Sequence, residues 1–406
     1  MSQTPTLAGP GPATPRLRIA TMVDYVVGGG AERAAVEIAC RLAERHDVTM
    51  ISSRLRPDQL GEDTFRGTVA QLADAGVTLW PLGRTSAKAV WEWRPLIRRL
   101  RAGRFDVLHT HLSGSNAWGP LLKGLGGVGA FVAHEQTPFP HVGGFRGFRE
   151  SRSEAFVNPW VVGPLADRIL VPSRWSLESL VDLQGVPREK MRVVPNAAPE
   201  TMDRPSDDRR GVRASMGVAD DELVIVIAAM LRPEKGHEIA VDALARVLPR
   251  YPKAVLALAG EGELHAREGV RPALEAQARA LGIEHAVRFL GRRHDVMDVL
   301  GASDVALLSS HNENLPLAVL EYMESGTPIV TTDAGGNREL VDDGVHGLVV
   351  PRGDAAAMAD ALLRTLDDPD AARTRATAAQ ERRRREFTWD VVSRQVEDVY
   401  REALAA

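Results

Sequence analysis

Cysteine is almost missing from this 406-residue chain, in which Cys40 is the only one. One thiol cannot build a disulfide framework within the chain, so a disulfide-stapled secreted domain is excluded. Cys40 lies in the amphipathic stretch AERAAVEIACRLAERH, where a lone buried thiol is predicted to be a packing residue. We therefore expect a cytoplasmic protein.

Long hydrophobic runs and an excess of one charge are lacking as well. No apolar stretch approaches the roughly 20 residues that a bilayer-spanning helix needs. Residues 1–16 contain no hydrophobic region of the kind found in a signal peptide, and we expect a flexible leader there. The formal net charge of -4 gives no general attraction to nucleic acid, so no nucleic-acid partner is predicted.

What the chain does contain is two successive series of short apolar segments with helix-like stretches between them. The first runs from LRIATMV to DRILVPS and the second from ELVIVIAAM to GLVVP. Strands that alternate with helices form parallel sheets covered on both faces, which is an α/β fold. Because the chain is too long for one core, two series predict two Rossmann-like domains with a cleft between them. Residues 198–211 are the predicted linker, and ligands are expected at the carboxyl ends of the strands.

One segment between two predicted strands, ENLPLAVLE, has a glutamate at each end. Proline is favoured in the first turn of a helix and disfavoured deeper inside it. Pro316 therefore predicts a helix that starts near it, with Glu313 in the loop before the helix and Glu321 within it.

The start of that helix is a predicted phosphate site, because a helix N-terminus presents unpaired N–H groups and a partial positive charge. The amides of Asn314, Leu315 and Leu317 would supply the donors. A carboxylate repels a phosphate, so Glu313 and Glu321 are better suited to accept hydrogen bonds from hydroxyl groups on either side of it. A diphosphate flanked by hydroxyl groups is a nucleotide sugar. The alternative is that both acids are simply solvated.

Loops after other strands carry basic residues and glycine. In PEKGHE, Lys235 can neutralise a diphosphate and Arg232 can assist it, although a solvated basic loop is the alternative. AGEGEL and LGRRHD end two further strands with glycine. Gly260, Gly262 and Arg292 are therefore candidate contacts for the base or ribose of a nucleotide, or only parts of turns.

A third loop, GGGAER, places Gly28 to Gly30 between a strand and a helix, with Glu32 in the first helical turn. Glycines allow a ligand to approach the backbone closely, and the helix start favours an anion. The segment is not the G-x-G-x-x-G fingerprint of dinucleotide enzymes, and a plain tight turn is the alternative.

Three histidines end predicted strands. His109 and His111 share one strand face, but a metal needs a third ligand and none has suggestive spacing nearby, so no metal is predicted. The D-x-D string at 368–370 follows a helix and is interpreted as a surface turn. His134 is expected to face the cleft, and a structural role is its alternative.

Together these segments resemble the retaining glycosyltransferases of family 4, which have the GT-B fold. The resemblance implies two Rossmann-like domains that face each other across a cleft: an acceptor-binding domain at 17–199 and a nucleotide-sugar-binding domain at 200–385. It also implies that a helix at 386–406 returns to the first domain. The markers stand in order along nearly the whole chain: GGAER, ADRILVPS, VVPNA, PEKGHE, GEG, VRFLG, ENLPLAVLEYMESGTPIVTTDAGGNREL, GLVVP and FTW.

The same resemblance assigns roles to residues. Glu313 would contact the transferred sugar, Glu321 would hold the ribose hydroxyls, and His134 would contact the sugar near its C6 hydroxyl. Lys235 would bind the leaving phosphate, which makes His134, Glu313 and Lys235 the predicted catalytic residues. Gly30 is assigned to the donor, and the assigned acceptor contacts are Gly29, Glu32 and His111.

The implied activity is transfer from a nucleotide diphosphate sugar, UDP- or GDP-linked, to an acceptor hydroxyl with retained anomeric configuration. The resemblance implies neither a metal ion nor another cofactor. Two positions depart from the family pattern. Met230 stands where an arginine is common, and NAAPE replaces the usual turn after the first domain's last strand, although Asn196 is kept.

Three rival functions share parts of this pattern. A GT-B epimerase acting on a nucleotide sugar would turn over its substrate without an acceptor. An NAD-dependent dehydrogenase would have two Rossmann units, but the glycine fingerprint and its downstream acid are missing. A non-catalytic nucleotide-sugar-binding protein, which Met230 favours, would bind the donor and transfer nothing.

The acceptor is predicted to be a small molecule, a glycan or a lipid-linked molecule. Residues 89–105 interleave tryptophan and leucine with arginine, and residues 143–152 add phenylalanine among arginines. Such surfaces suit an anionic membrane, which gives the hypothesis of weak peripheral contact with the inner membrane face. The alternative, which we favour, is an amphipathic helix with buried tryptophans and a soluble acceptor.

Overall fold

The structure is a computed structural model that describes residues 15–27, 29–85, 89–136, 157–198, 208–262 and 269–406. Within these ranges the first sheet has seven parallel strands in the spatial order β3-β2-β1-β4-β5-β6-β7. They are β1 (Arg18–Val23), β2 (Asp47–Ser52), β3 (Thr78–Pro81), β4 (Val107–His111), β5 (Ala130–His134), β6 (Arg168–Val171) and β7 (Met191–Val193).

The second sheet has six parallel strands in the order β10-β9-β8-β11-β12-β13. Separate apolar cores cover the two faces of each sheet, as the buried, apolar strands require. The predicted α/β fold with two Rossmann-like sheets is confirmed. The strands are β8 (Leu223–Ala228), β9 (Ala254–Ala259), β10 (Val287–Gly291), β11 (Val305–Leu308), β12 (Ile329–Thr332) and β13 (Leu348–Val350).

The helices alternate with the strands along the chain. In the first unit they are α1 (Gly30–Ala43), α2 (Asp63–Asp74), α3 (Arg94–Gly103), α4 (Leu112–Asn116), α5 (Gly119–Gly126), α6 (Gly163–Leu165) and α7 (Arg174–Gln184). The later helices are α8 (Arg209–Ser215), α9 (His237–Val247), α10 (Val270–Ala280), α11 (Val296–Gly301), α12 (Leu317–Ser325), α13 (Asn337–Leu340), α14 (Ala355–Asp367), α15 (Pro369–Glu386) and α16 (Trp389–Leu404). Among the described residues, no helix combines the length and the apolar character needed to cross a membrane.

The last helix returns to the first sheet. Thr388 caps α16 by accepting a hydrogen bond from the Val391 N–H, which starts the helix directly after α15. Trp389 and Tyr400 are fully buried in the same apolar core as Ile19 of β1. The preceding helix α15 packs on α12 of the second unit, so the chain passes from one sheet to the other at this point.

The two sheets meet through segments that follow their strands. A Cβ on Gly30, at the start of α1, would lie 3.1 Å from Cδ1 of Leu317, at the start of α12. This contact places the carboxyl edge of one sheet opposite that of the other. Most of the predicted leader and the boundary at residue 199 lie outside the described residues, and the domain boundaries remain predictions.

Candidate active site

A partly buried ion pair lies at the carboxyl edge of the second sheet. Glu313 is in the loop after β11, and Lys235 ends a 3-10 turn after the neighbouring strand β8. Lys235 Nζ donates to Glu313 Oε1 at 2.6 Å, and Ser310 Oγ donates to the same oxygen at 2.6 Å. The Lys235 and Glu313 side chains are only 18% and 7% exposed. Two residues predicted from separate motifs therefore form one pair, because parallel neighbouring strands bring their following loops together.

Next to the pair, helix α12 begins where the proline predicted. Pro316 is the N-cap and Leu317 the first helical residue. Within the described part of the chain, the backbone N–H groups of Asn314, Leu315 and Leu317 have no hydrogen-bond partner. Unpaired donors at the positive end of a helix, adjacent to a lysine-bound carboxylate, form a ready anion site.

The second acid of the segment points to the first unit. Glu321 Oε1 accepts a hydrogen bond from Arg33 Nη1 of α1 at 3.0 Å, and its side chain is only 12% exposed. Burial raises the pKa of Glu321, and the Arg33 guanidinium opposes that rise. Sequence reasoning named Glu321 but missed Arg33, because nothing local shows that residues so far apart meet.

The glycine-rich loop before α1 has a structural explanation for part of its pattern. The Gly29 N–H donates to Glu32 Oε2 at 2.9 Å, so the Glu32 carboxylate caps the start of its own helix. A side chain at Gly30 would meet Leu317 across the junction. Gly28 lies outside the described residues. Glu32 and Gly29 remain predicted acceptor contacts, and Gly30 a predicted donor contact.

Two other glycines are required by close backbone approach. Gly236 has φ of 63°, and a Cβ there would lie 2.1 Å from the carbonyl oxygen of Ser309. A Cβ on Gly260 would lie 2.0 Å from the carbonyl oxygen of Ala229. Neither position admits a side chain, because the neighbouring loop occupies the space. Gly262 is more open, with its nearest contact at 3.8 Å from a built Cβ.

The remaining basic candidates lie at the rim. Arg232 Nη1 is 3.7 Å from the carboxylate of Glu234 and about one third exposed. Arg292 is exposed, and no carboxylate among the described residues pairs with it. Met230, where the family commonly has arginine, is 42% exposed. The pairing with Glu234 gives no sign that Arg232 takes the missing arginine's place.

Three histidines meet at the carboxyl edge of the first sheet. His109 and His111 lie on β4, and the register of β4 with β5 sets His134 directly beside His111. Their ring centroids are 4.1 to 5.4 Å apart, and one nitrogen of each ring lies within 4.8 Å of the others. Our expectation that His109 and His111 have no third partner nearby is therefore wrong. The spacing rule failed because the third histidine comes from an adjacent strand.

Burial makes this cluster electrically neutral at pH 7. It lowers the pKa of His109 and His111 well below the ordinary value and that of His134 to about 3. Two rings have one nitrogen bound: His109 Nδ1 to Tyr400 Oη at 2.7 Å, and His134 Nε2 to the Gln136 amide at 3.1 Å. Neutral imidazoles are also zinc ligands, so the cluster has the composition of a metal site. That no metal is required remains our prediction.

Polar contacts across the junction hold the anion-site loop. Asn196, the residue kept from the family motif, donates its Nδ2 hydrogen to the Leu315 carbonyl at 3.0 Å. The Asn314 side chain accepts a hydrogen bond from Ser173 Oγ at 3.1 Å. Glu339 accepts from the N–H groups of Arg174 and Trp175, at 2.8 and 2.9 Å, and so caps α7 from the other unit. These contacts were not predicted, because they join separate motifs.

Solved structures with this arrangement of two sheets exist. HepE from Anabaena, crystallised in complex with UDP and glucose, has a TM-score of 0.80 at 21% identity, over 94% of this chain and 99% of that chain. Sucrose-phosphate synthase from Thermosynechococcus elongatus has a TM-score of 0.76 at 22% identity, over 96% and 100%. The chain therefore has the fold of the GT-B glycosyltransferases.

Sequence comparison gives the family within that class. Residues 28–200 match the model described as Glycosyltransferase Family 4, and residues 208–383 match Glycosyl transferases group 1. A D-inositol 3-phosphate glycosyltransferase of Saccharomonospora viridis is 32% identical over 314 residues, which cover 75% of this chain and 72% of that protein. One from Acidothermus cellulolyticus is 30% identical over 402 residues, covering 93% and 86%. The chain belongs to glycosyltransferase family 4, and the predicted family is confirmed.

Proposed function

We propose that the enzyme transfers a sugar from a nucleotide diphosphate sugar to an acceptor hydroxyl with retention of the anomeric configuration. The observation that carries this proposal is the Lys235–Glu313 pair beside the unpaired amides that open α12. A cation and N–H donors suit a diphosphate, and the carboxylate suits hydroxyl groups attached to it. A nucleotide sugar carries both kinds of group in adjacent positions.

The donor is proposed to lie along the start of α12. Its diphosphate would contact Lys235 and the amides, and its sugar would contact Glu313. Glu321 is about one helical turn beyond Leu317, roughly 6 Å along α12 at 1.5 Å per residue. There its carboxylate can accept hydrogen bonds from the ribose hydroxyls. Arg33 favours the charged, accepting form of that carboxylate. HepE, which shares the fold, was crystallised with UDP, so a UDP-sugar is the first donor to test and a GDP-sugar the second.

The proposed reaction exchanges one bond at the anomeric carbon. The bond to the diphosphate oxygen breaks, the bond to the acceptor oxygen forms on the same face, and the acceptor's proton passes to the leaving phosphate. Lys235 and the amides stabilise the negative charge that develops on the diphosphate. Glu313 orients the sugar hydroxyls, and neutral His134 contacts the sugar from the first sheet. No step in this route uses a metal ion.

The acceptor is proposed to bind at the carboxyl edge of the first sheet, near His111. Side chains of opposite charge follow two strands there. Asp24 comes after β1 and Arg54 after β2, and Arg54 Nε lies 3.6 Å from Asp24 Oδ2. Groups that donate and accept hydrogen bonds suit a small molecule with several hydroxyls. Because two relatives are named for D-inositol 3-phosphate, a phosphorylated polyol is the first acceptor to test.

A lipid-linked acceptor is the alternative, and the stretch 89–105 bears on it. Trp93, Leu96 and Leu100 are buried, as the amphipathic-helix interpretation expects, whereas Trp91 is 68% exposed, contrary to it. Residues 143–152 lie outside the described residues. Trp91 and its exposed neighbour Val90 form only a small apolar surface, so the soluble acceptor stays our proposal. Flotation with anionic vesicles at low salt tests the alternative, and binding that W91A abolishes would favour it.

The proposal is tested in two steps. First, UDP- and GDP-sugars are screened for thermal stabilisation of the enzyme, since a ligand that binds only the folded state raises its melting temperature. Second, the stabilising donor is incubated with myo-inositol phosphates, and NMR gives the anomeric configuration of the product. A product with the donor's configuration, formed equally in EDTA, supports the proposal. An inverted product, or donor turnover to an epimeric nucleotide sugar without acceptor, contradicts it.

A further inference from the structure

The last helix places the buried hydroxyl of Tyr400 beside His109, at the carboxyl edge of the first sheet. Tyr400 of α16 is fully buried, and its Oη lies 2.7 Å from Nδ1 of His109 on β4. The Tyr400 and His109 rings also meet edge to face, with centroids 5.5 Å apart and planes at 76°. A residue near the end of the chain therefore contacts the histidine cluster that lies at the acceptor side.

His109 lies between Tyr400 and the other two histidines of the cluster. Its ring is stacked on that of His134, with centroids 5.4 Å apart and planes only 11° from parallel, and it lies 4.1 Å from the ring of His111. His109 itself is buried and has no place among the proposed substrate contacts. Its ring is next to those of His111 and His134, which do belong to the proposed contacts.

The hydrogen bond also joins two buried polar groups that have few other partners. In the part of the chain that the structure describes, Tyr400 Oη has no other partner and His109 Nε2 has none, so this one bond is what ties the buried hydroxyl to the ring. Either tautomer leaves one buried donor unpaired, the Nε2–H of His109 or the O–H of Tyr400, so the bond holds the ring in place without selecting a tautomer. Burial keeps both groups neutral, since it lowers the pKa of His109 and raises that of Tyr400.

We propose that Tyr400 is a positioning residue, whose hydroxyl fixes the ring position of His109 and thereby holds His134 in place for the transferred sugar. The proposal rests on the contact between His134 and the sugar proposed above. It makes the C-terminal helix part of the active site's support. Since α16 follows α15, which packs on the helix that carries Glu321, the same segment supports both sides of the junction.

The test is Tyr400→Phe, which removes only the hydroxyl. We expect kcat to fall about tenfold, the scale set by a slightly misplaced catalytic group, with the donor KM within about twofold of wild type. In spectra of protein with 15N-labelled histidine, the hydrogen-bonded Nδ1 signal of His109 should be lost. If Tyr400 acts through His109, Y400F should reduce kcat no further in an H109Q background, because contacting residues are coupled.

A matched control separates positioning from helix docking. Glu397, also on α16, pairs with Arg45, His46 and Arg401, and within the described residues it has no hydrogen bond or ion pair with His109, His111 or His134. E397Q should lower the melting temperature and leave kcat unchanged. Wild-type kcat in Y400F, or an equal loss in E397Q, overturns the proposal. His134→Ala separates the two levels: if it is inactive while Y400F is normal, only the role of Tyr400 fails, and if it is fully active, the proposed sugar contact fails as well.

Discussion

A buried carboxylate that accepts from both a lysine and a serine is expensive to remove, and Glu313 is in that position. Its replacement would leave the Lys235 ammonium without its partner and, if the proposed contact exists, would remove the carboxylate that accepts hydrogen bonds from the donor sugar. We expect E313A to lower kcat by about a hundredfold or more, the scale of a lost transition-state contact. Transfer kinetics measure the loss. E275A, at an exposed carboxylate paired with Arg271, is the control and should keep wild-type turnover; near wild-type transfer by E313A would refute its role.

The buried histidines predict how stability changes with acid. Each is neutral when folded and protonates in the unfolded chain, so the folded state loses stability as the pH falls below about 6.5. For a histidine whose folded pKa is well depressed, the loss at pH 5 is about 2 kcal/mol. Urea unfolding at pH 7 and pH 5 measures it. H109Q should lose less stability than wild type between these pH values, and an identical loss in both would contradict the account.

At the scale of single elements, the loop after β8 depends on one glycine. Gly236 combines a positive φ with a contact to Ser309, which stands in the loop leading to Glu313. G236A should therefore cost about 2 kcal/mol or more of unfolding free energy and weaken UDP binding, because Lys235 shifts with the loop. Denaturation and calorimetry give the two values. The control is G67A, at a helical position where a side chain has open space. It should lower neither the unfolding free energy nor the affinity for UDP. A wild-type affinity in G236A would contradict the prediction.

How much of each element could be predicted depended on whether its signal was local. The start of α12 could be predicted, because the preference of proline for the first helical turn indicates a helix N-terminus at Pro316. The contact of His134 with His111 could not be predicted from a local signal, because the register between β4 and β5 is set by packing across the sheet. The pairing of Lys235 with Glu313 was predictable only in part. The alternation of parallel strands with helices predicts that both residues lie at the carboxyl edge of the sheet, but it does not predict their hydrogen bond.

On the scale of the whole molecule, the fold was predictable because the alternation of apolar segments repeats over most of the chain. The contacts between the units were not, since Arg33 with Glu321 and Glu339 with the start of α7 join residues of different motifs. Each of these contacts involves a segment that follows a strand. The junction is therefore where the two units jointly form the proposed site, and a change on either side affects the other.

The central claim is that this junction binds the diphosphate of a nucleotide sugar through Lys235 and the start of α12. Calorimetry with UDP and GDP on wild type, K235A and K253A tests it most directly. The matched control is Lys253, an exposed lysine that directly precedes β9 and pairs with Asp221. The account predicts that wild type and K253A bind one of the nucleotides equally, and that K235A binds it at least about tenfold more weakly, as loss of a charge-assisted contact implies. Equal affinity in K235A, or no binding of either nucleotide to wild type, would contradict it.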